Sequence, residues 1–210
     1  MNNSRIRPVV YTVILAAATL LLTGCLEVVQ HIGSGPGDSV DNYVRVTLQR
    51  GIFSFAEAFG GEAMTDEDFA EEFGMSEQEV LEDLPAGVSA RFEPVITEFD
   101  FGFSLRTTTD RSFRSDEGAF VPMIRDGSLY IHLPPGDEEE ADEAAFFLAS
   151  AKYRIILDKE VMPHVSSAEI VGTGGTTQVD VTEFQNVWLL EFPVLLWFSG
   201  GNKPVIQVRS

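Results

Sequence analysis

Alternation of apolar and polar residues over short segments is the feature that most constrains the fold of this chain. In the clearest segment, Glu98–Leu105, Phe99, Phe101, Phe103 and Leu105 occupy every second position. Successive side chains of a strand point to opposite faces of a sheet, so this spacing places the four apolar residues on one face. The same period, or an apolar run of strand length, recurs in Val44–Leu48, Leu129–Leu133, Lys152–Leu157, Gln178–Val181, Val187–Phe192, Val194–Phe198 and Val205–Val208.

Two glycine-containing segments predict tight turns between strands. Asp126-Gly127 separates Met123–Ile124 from Leu129–Leu133, and an Asp-Gly pair in that position is a strong hairpin signal. Gly172–Thr177 is glycine-rich like a phosphate-binding loop, but it lacks the lysine and the following helix that such a loop requires. We therefore interpret it as a hairpin loop.

Helix signals are confined to two parts of the chain. Thr65-x-x-Asp68 resembles a capping box, and Ser76-x-x-Glu79 is a full one that opens a helix ending at Leu84-Pro85. Residues 137–150 begin with acids and continue with alanines, which is the polarity that a helix dipole favours.

These signals together predict one domain of the α+β class over residues 40–210. Its expected architecture is a curved, mainly antiparallel sheet of seven to nine strands covered by a few short helices. An acidic helical insertion is expected at about residues 57–85.

The amino terminus has the layout of a secretory signal peptide. Arg5 and Arg7 precede Val9–Leu22, which is apolar except for one tyrosine and two threonines, and small residues then lead into Cys25. The apolar run has about 14 residues, short of the roughly 20 that span a bilayer. We expect residues 1–24 to be cleaved between Gly24 and Cys25, with residues 25–39 forming a modified amino terminus and a flexible spacer.

The ending Leu22-Thr23-Gly24-Cys25 resembles the lipobox of bacterial lipoproteins. That resemblance implies that Cys25 becomes the first mature residue and carries a diacylglyceryl thioether, usually with an acylated amine. The protein is then expected to be exported and held at a membrane of the cell envelope by its acyl chains. Leu26, rather than an aspartate, follows the cysteine, which in diderm bacteria resembles lipoproteins that are sorted to the outer membrane.

The charge of the chain restricts its partners. Loss of residues 1–24 removes Arg5 and Arg7 and no acid, so the net charge changes from −19 to −21. Such a surface repels nucleic acid and anionic lipid headgroups, so no nucleic-acid partner is expected and membrane contact should rely on acyl chains and apolar side chains. The eleven carboxylates between Glu57 and Asp83 either form a solvated helical face or attract a cation or basic partner, and their spacing does not fit a calcium loop.

The sequence holds no recognisable motif for catalysis or metal binding. His31, His132 and His164 are not spaced as zinc ligands, and the sequence holds no His-Glu-x-x-His and no Gly-x-Ser-x-Gly. Cys25 is the only cysteine, and acylation would account for it. We therefore expect no enzyme activity, no metal and no cofactor.

The segment Val187–Phe198 has eleven non-polar residues in twelve, interrupted by Glu191. Three interpretations are open for it: two buried strands hinged at Pro193, the wall of a lipid-holding cavity, or an aromatic lip that enters a bilayer. The residues considered for contact with an apolar ligand or a membrane are Phe99, Phe101, Phe103, Trp188, Leu195 and Trp197.

The carboxyl-terminal half also resembles LppM-type bacterial lipoproteins, through Val161–Ala168, Gly172–Gly175 and Trp188–Pro193. The resemblance implies an antiparallel sheet curved around a helix, and a lipid ligand. Two functions follow as expectations. The first is a membrane-anchored, non-catalytic module that binds lipid or another apolar ligand, and the alternative is a structural or assembly lipoprotein that acts through contacts with an envelope protein.

Overall fold

The computed structural model describes residues 26–51, 77–135, 148, 150–198 and 203–210. Their elements are twelve strands and two helices. In chain order these are β1 (Leu26–Ser34), β2 (Ser39–Gln49), α1 (Glu77–Glu82), β3 (Ser89–Ile96), β4 (Asp100–Asp110), β5 (Pro122–Arg125), β6 (Ser128–His132), β7 (Lys152–Asp158), β8 (Ser167–Gly172), β9 (Gly175–Gln178), β10 (Asp180–Glu183), β11 (Val187–Pro193), α2 (Leu195–Phe198) and β12 (Val205–Arg209).

Seven of the strands form one sheet in the order β10-β11-β7-β1-β2-β4-β3. β1 lies at its centre, antiparallel to β2 and parallel to β7. The remaining pairs in this sheet are antiparallel. Its longest ladder joins β2 and β4, which pair over eleven residues each.

The other five strands form a second, antiparallel sheet in the order β5-β6-β12-β8-β9. The predicted hairpin at Asp126-Gly127 is confirmed as the β5–β6 turn, where both residues have positive φ angles of 52° and 76°. The predicted loop after Gly172 is also confirmed, because Gly172 pairs with Gly175 at the β8–β9 turn.

The two sheets pack face to face around one core. The chain crosses from β9 in one sheet to β10 in the other through Val179, which is buried and donates its N–H to the carbonyl of Ala168 (2.9 Å). The alternation of each strand turns its apolar residues inward, and each fully buried side chain contributes about 1.5–3 kcal/mol. The completely buried residues of this core include Val28, Ile32, Val44, Leu129, Ile131, Ile155, Leu157, Leu190, Ile206 and Val208.

The predicted α+β class is wrong, because the described chain is a β-sandwich of seven and five strands. Its two helices span only six and four residues and do not cover a sheet. Some strands are polar and could not be predicted from alternation of apolar and polar residues. An example is Gly175–Gln178, which is exposed along its whole length. The predicted helix after Ser76 is present as α1, whereas the helix expected from Thr65, and all but residues 148 and 150 of the one expected over 137–150, lie outside the described residues.

The expected spacer over residues 25–39 is also corrected. Residues 26–34 form β1, whose inward positions Val28, Gln30 and Ile32 are completely buried. The glycines and proline that suggested a linker form the β1–β2 turn, closed by a hydrogen bond from Gly35 N–H to the carbonyl of Ser39 (3.0 Å). Residues 26–34 therefore belong to the folded domain.

Two strand predictions near the carboxyl terminus need smaller corrections. Val194–Phe198 was expected as a strand, but β11 ends at Pro193 and the next residues form α2. Gln178–Val181 is divided between the end of β9 and the start of β10. β11 stops at Pro193 because proline lacks a backbone N–H to donate to the neighbouring strand.

Candidate functional site

One end of the seven-stranded sheet is where β1 begins, and we call it the Leu26 end. The register places Leu26 opposite Leu48 of β2, Leu48 opposite Phe101 of β4, and Phe101 opposite Ile96 of β3. These four residues therefore form one row across adjacent strands. The β3–β4 turn projects beyond this row, at the same end as the first described residue.

The β3–β4 turn is closed by backbone and side-chain hydrogen bonds. The Thr97 hydroxyl accepts from the N–H groups of Phe99 (3.1 Å) and Asp100 (2.8 Å), and Thr97 N–H donates to the carbonyl of Asp100 (2.9 Å). Arg50 N–H donates to the carbonyl of Phe99 (2.8 Å) and ties the turn to the end of β2. These bonds order the backbone at Phe99, whose side chain is exposed.

A polar cleft of about 210 Å³ opens on the outer face of the sheet at the same end. Arg154 crosses it, donating from Nη1 to Glu27 (3.1 Å) and from Nε to Glu191 (2.9 Å), and Lys152 also donates to Glu191. Its lining residues are Leu26, Glu27, Thr47, Gln49, Asp100, Ser150, Lys152 and Arg154.

The charges in this cleft compensate one another. Hydrogen bonds from two basic side chains, Lys152 with the larger effect and Arg154 with the smaller, lower the pKa of the Glu191 carboxyl. Glu191 therefore stays ionised near neutral pH. Because both basic side chains are already bound to carboxylates, the cleft offers little net attraction to an anion. We interpret it as an ion-pair network that joins β1, β7 and β11.

The residues considered for apolar contact separate into three groups. Phe101, Phe103, Trp188 and Trp197 are buried, with exposed fractions between 4 and 8 %. Leu195 is partly buried against the core, and Phe99 is 72 % exposed. Phe99, in the turn before β4, is thus exposed, whereas Phe101 and Phe103, within β4, are buried.

Both tryptophans have their polar atoms satisfied inside the fold. The indole N–H of Trp188 donates to the carbonyl of Met162 (3.0 Å), and that of Trp197 donates to the carbonyl of Pro134 (2.8 Å). The Trp197 ring also packs edge-on against Phe120, with 5.5 Å between centroids. Interior contacts therefore account for the positions of both rings.

A buried polar network that the sequence analysis missed lies among these aromatic rings. Gln30 donates to the Asn42 side-chain oxygen (2.7 Å) and to the carbonyl of Phe120 (2.9 Å), and it accepts from the Tyr153 hydroxyl. Asn42 donates to Thr107 Oγ1 (3.0 Å) and to the Phe120 carbonyl (3.1 Å). The sequence signal for this network was a polar residue at an inward position of each strand, Gln30 in β1 and Asn42 in β2.

This network fixes an unusual backbone conformation. Phe120 has a φ angle of 64°, which is uncommon outside glycine, and its carbonyl is held by both amides. Complete burial raises the pKa of the Tyr153 phenol well above its usual value, so Tyr153 remains a neutral donor. The groups satisfy one another, which indicates a structural lock more than a reactive centre.

The three histidines lie apart from one another. His31 is exposed and contacts Asp158 (Nε2 to Oδ1, 3.0 Å), and His164 is exposed on a loop. Burial lowers the pKa of His132 at the end of β6, opposed by the charge of Asp116. Within the described residues, no three His, Cys, Asp or Glu side chains are placed to hold a metal ion.

Cys25, the residue expected to be acylated, lies outside the described residues, as do Gly24, after which cleavage is expected, and residues 1–23. Among the helices that are described, none has the length and apolar character needed to cross a bilayer.

Comparison with protein-family models, with curated proteins and with solved structures finds no match to this chain.

Proposed function

We propose that this chain is an exported lipoprotein, anchored through acylated Cys25, whose β-sandwich serves at the membrane as a non-catalytic assembly module. The proposed site of action is the cell envelope, with the outer membrane favoured in a diderm bacterium. The lipobox-like Leu22-Thr23-Gly24-Cys25 is the observation that carries the anchor.

The start of the fold supports an anchor close to the domain. β1 begins at Leu26, directly after the cysteine, and lies at the centre of the larger sheet. With no spacer between them, acyl chains on Cys25 would hold the sandwich against the membrane surface. Two or three acyl chains suffice for stable anchoring, since each buried methylene adds about 0.8 kcal/mol.

The packing of the core favours the assembly role over the lipid-carrier role. Phe101, Phe103, Trp188 and Trp197, which would line a lipid cavity, instead contact the core or lie buried at its margin. A second, more open cleft of about 390 Å³ also lacks them. It is lined by Arg114, Ser115, Asp116, Met123 and Arg125. A partner is therefore expected to contact the surface, and the carrier role is the second candidate.

Native mass spectrometry of the chain from Leu26 onward, purified from a bacterial host, separates these two roles. The assembly role predicts a mass equal to that of the polypeptide alone, and no uptake of added phospholipid. Lipid extraction of the same sample checks for species lost in the instrument. A stoichiometric lipid would contradict the assembly role and support the carrier, and Leu195→Trp would then test whether the ligand lies beside α2.

A further inference from the structure

The β3–β4 turn at the Leu26 end presents two large apolar side chains to solvent. Phe99 is 72 % exposed and Ile96 is 58 % exposed. Phe184, at 50 %, is the other exposed large apolar side chain among the described residues, and it lies at the opposite end of the same sheet. An exposed Phe–Ile pair on one turn gains free energy when an apolar phase covers it.

The position of this turn relative to residue 25 points to what covers it. Leu26 and Ile96 lie in one row across four neighbouring strands, about 14 Å apart at the usual spacing between strands. Cys25 is one residue from Leu26, and consecutive Cα atoms are about 3.8 Å apart. An acyl anchor on Cys25 would therefore bring the bilayer surface to the turn.

The turn is also built to hold its apolar side chains outward. The Thr97 hydroxyl accepts two backbone N–H groups, and the carbonyl of Phe99 accepts the Arg50 N–H (2.8 Å). Insertion of Phe99 would consequently cost little conformational entropy, because the backbone is already ordered.

The carboxylates of the turn disfavour an electrostatic attraction to anionic lipid. Glu98 is exposed between the two apolar residues, and Asp100 is paired with Arg45 (3.5 Å). Binding must then depend on the apolar side chains, and a zwitterionic surface suits them better than an anionic one.

We propose that the β3–β4 turn, through Ile96 and Phe99, inserts into the interface of the same bilayer that holds the acylated Cys25. The contact orients the sandwich, with the Leu26 end at the membrane and the Phe184 end pointing away. This inference rests on the anchoring proposed above. β11 runs between the two ends over seven residues, about 20 Å, so an anchor at the Leu26 end leaves the Phe184 end about that far from the bilayer surface.

A fluorescent reporter at each end tests the orientation. The full chain, expressed with its amino-terminal segment and acylated at Cys25, is prepared as Phe99→Cys and as Phe184→Cys. Each new thiol is labelled with an environment-sensitive fluorophore, and the protein is reconstituted into phosphatidylcholine vesicles. Both positions are exposed, so neither change is expected to disturb folding, and Phe184→Cys is the matched control.

We expect a blue shift and quenching by spin-labelled lipid at position 99, and neither at position 184. Ile96→Ser in the Phe99→Cys background should reduce the shift, and adding phosphatidylglycerol should reduce it further. Intact mass of each sample reports acylation independently.

Water-like emission at position 99 in a chain that carries the acyl mass would overturn the insertion and leave the anchoring intact. A blue shift that persists without lipid would also overturn it, because protein would then cover the turn. A chain without acyl mass would remove the basis of both proposals.

Discussion

Gln30 and Asn42 show at the residue scale how polar side chains are used inside this sandwich. They lie at inward positions of β1 and β2, and their amides connect these strands to Tyr153 of β7, Thr107 of β4 and the Phe120 carbonyl. Loss of one member leaves buried donors or acceptors without partners, which costs more than the hydrogen bond contributed.

Gln30→Leu is expected to lower the free energy of unfolding by about 3 kcal/mol, because the Tyr153 hydroxyl and the Asn42 oxygen each lose a buried partner. Denaturant titration followed by tryptophan fluorescence measures the change. Thr108→Val is the control, since it removes an exposed hydrogen bond to Asp41 (2.8 Å) and should change stability by less than about 0.5 kcal/mol. Equal effects of both changes would contradict a locking role for the network.

β2 and β4 approach each other closely at Gly102. Gly102 of β4 lies opposite Thr47 of β2, and a Cβ built on Gly102 would be 2.0 Å from the carbonyl oxygen of Val46. Backbone, and not a flexible side chain, occupies that space. The pairing of β2 with β4, and with it the base of the β3–β4 turn, therefore depends on the glycine.

Gly102→Ala should destabilise the domain by about 2 kcal/mol or more, because the added methyl group forces β2 and β4 apart. Hydrogen exchange should show the loss of protection concentrated in these two strands. Gly51→Ala, where nothing lies within 4 Å of the added Cβ, is the matched control. Unchanged protection of β2 and β4 in Gly102→Ala would count against this account.

Local sequence was sufficient to predict the β5–β6 turn but not β1. The β5–β6 turn was predicted correctly because Asp126-Gly127 sets its conformation through those two residues alone. β1 was missed because Gln30 interrupts its apolar alternation and a glycine-rich turn follows it, so the segment resembled a linker. The partners that accept Gln30 in the core lie far away in the chain and could not be inferred from the segment.

At the scale of the whole molecule, the assignment of strands to two sheets could not be predicted from periodicity. β12 lies between β6 and β8, and β1 lies beside β7, so both sheets are joined by pairings distant in sequence. The candidate apolar residues illustrate the same limit. Period two placed Phe99 with Phe101 and Phe103, but the end of the sheet leaves Phe99 exposed and the other two buried.

The charge and the apolar turn give the molecule its proposed polarity. A net charge of −19, or −21 once residues 1–24 are lost, disfavours approach to an anionic surface, so a covalent anchor and a small apolar contact are needed to hold the domain at a membrane. The two proposals place both features at the Leu26 end. The covalent anchor is the premise on which the orientation depends.

The intact mass of the full chain extracted from bacterial membranes tests that premise most directly. We predict a polypeptide that begins at Cys25 and carries the mass of a diacylglyceryl group, with a third acyl chain where the amine is modified. Cys25→Ala should accumulate as a precursor that keeps residues 1–24 and has no acyl mass. A wild-type chain that keeps residues 1–24, or that carries a free thiol at Cys25, would contradict the account.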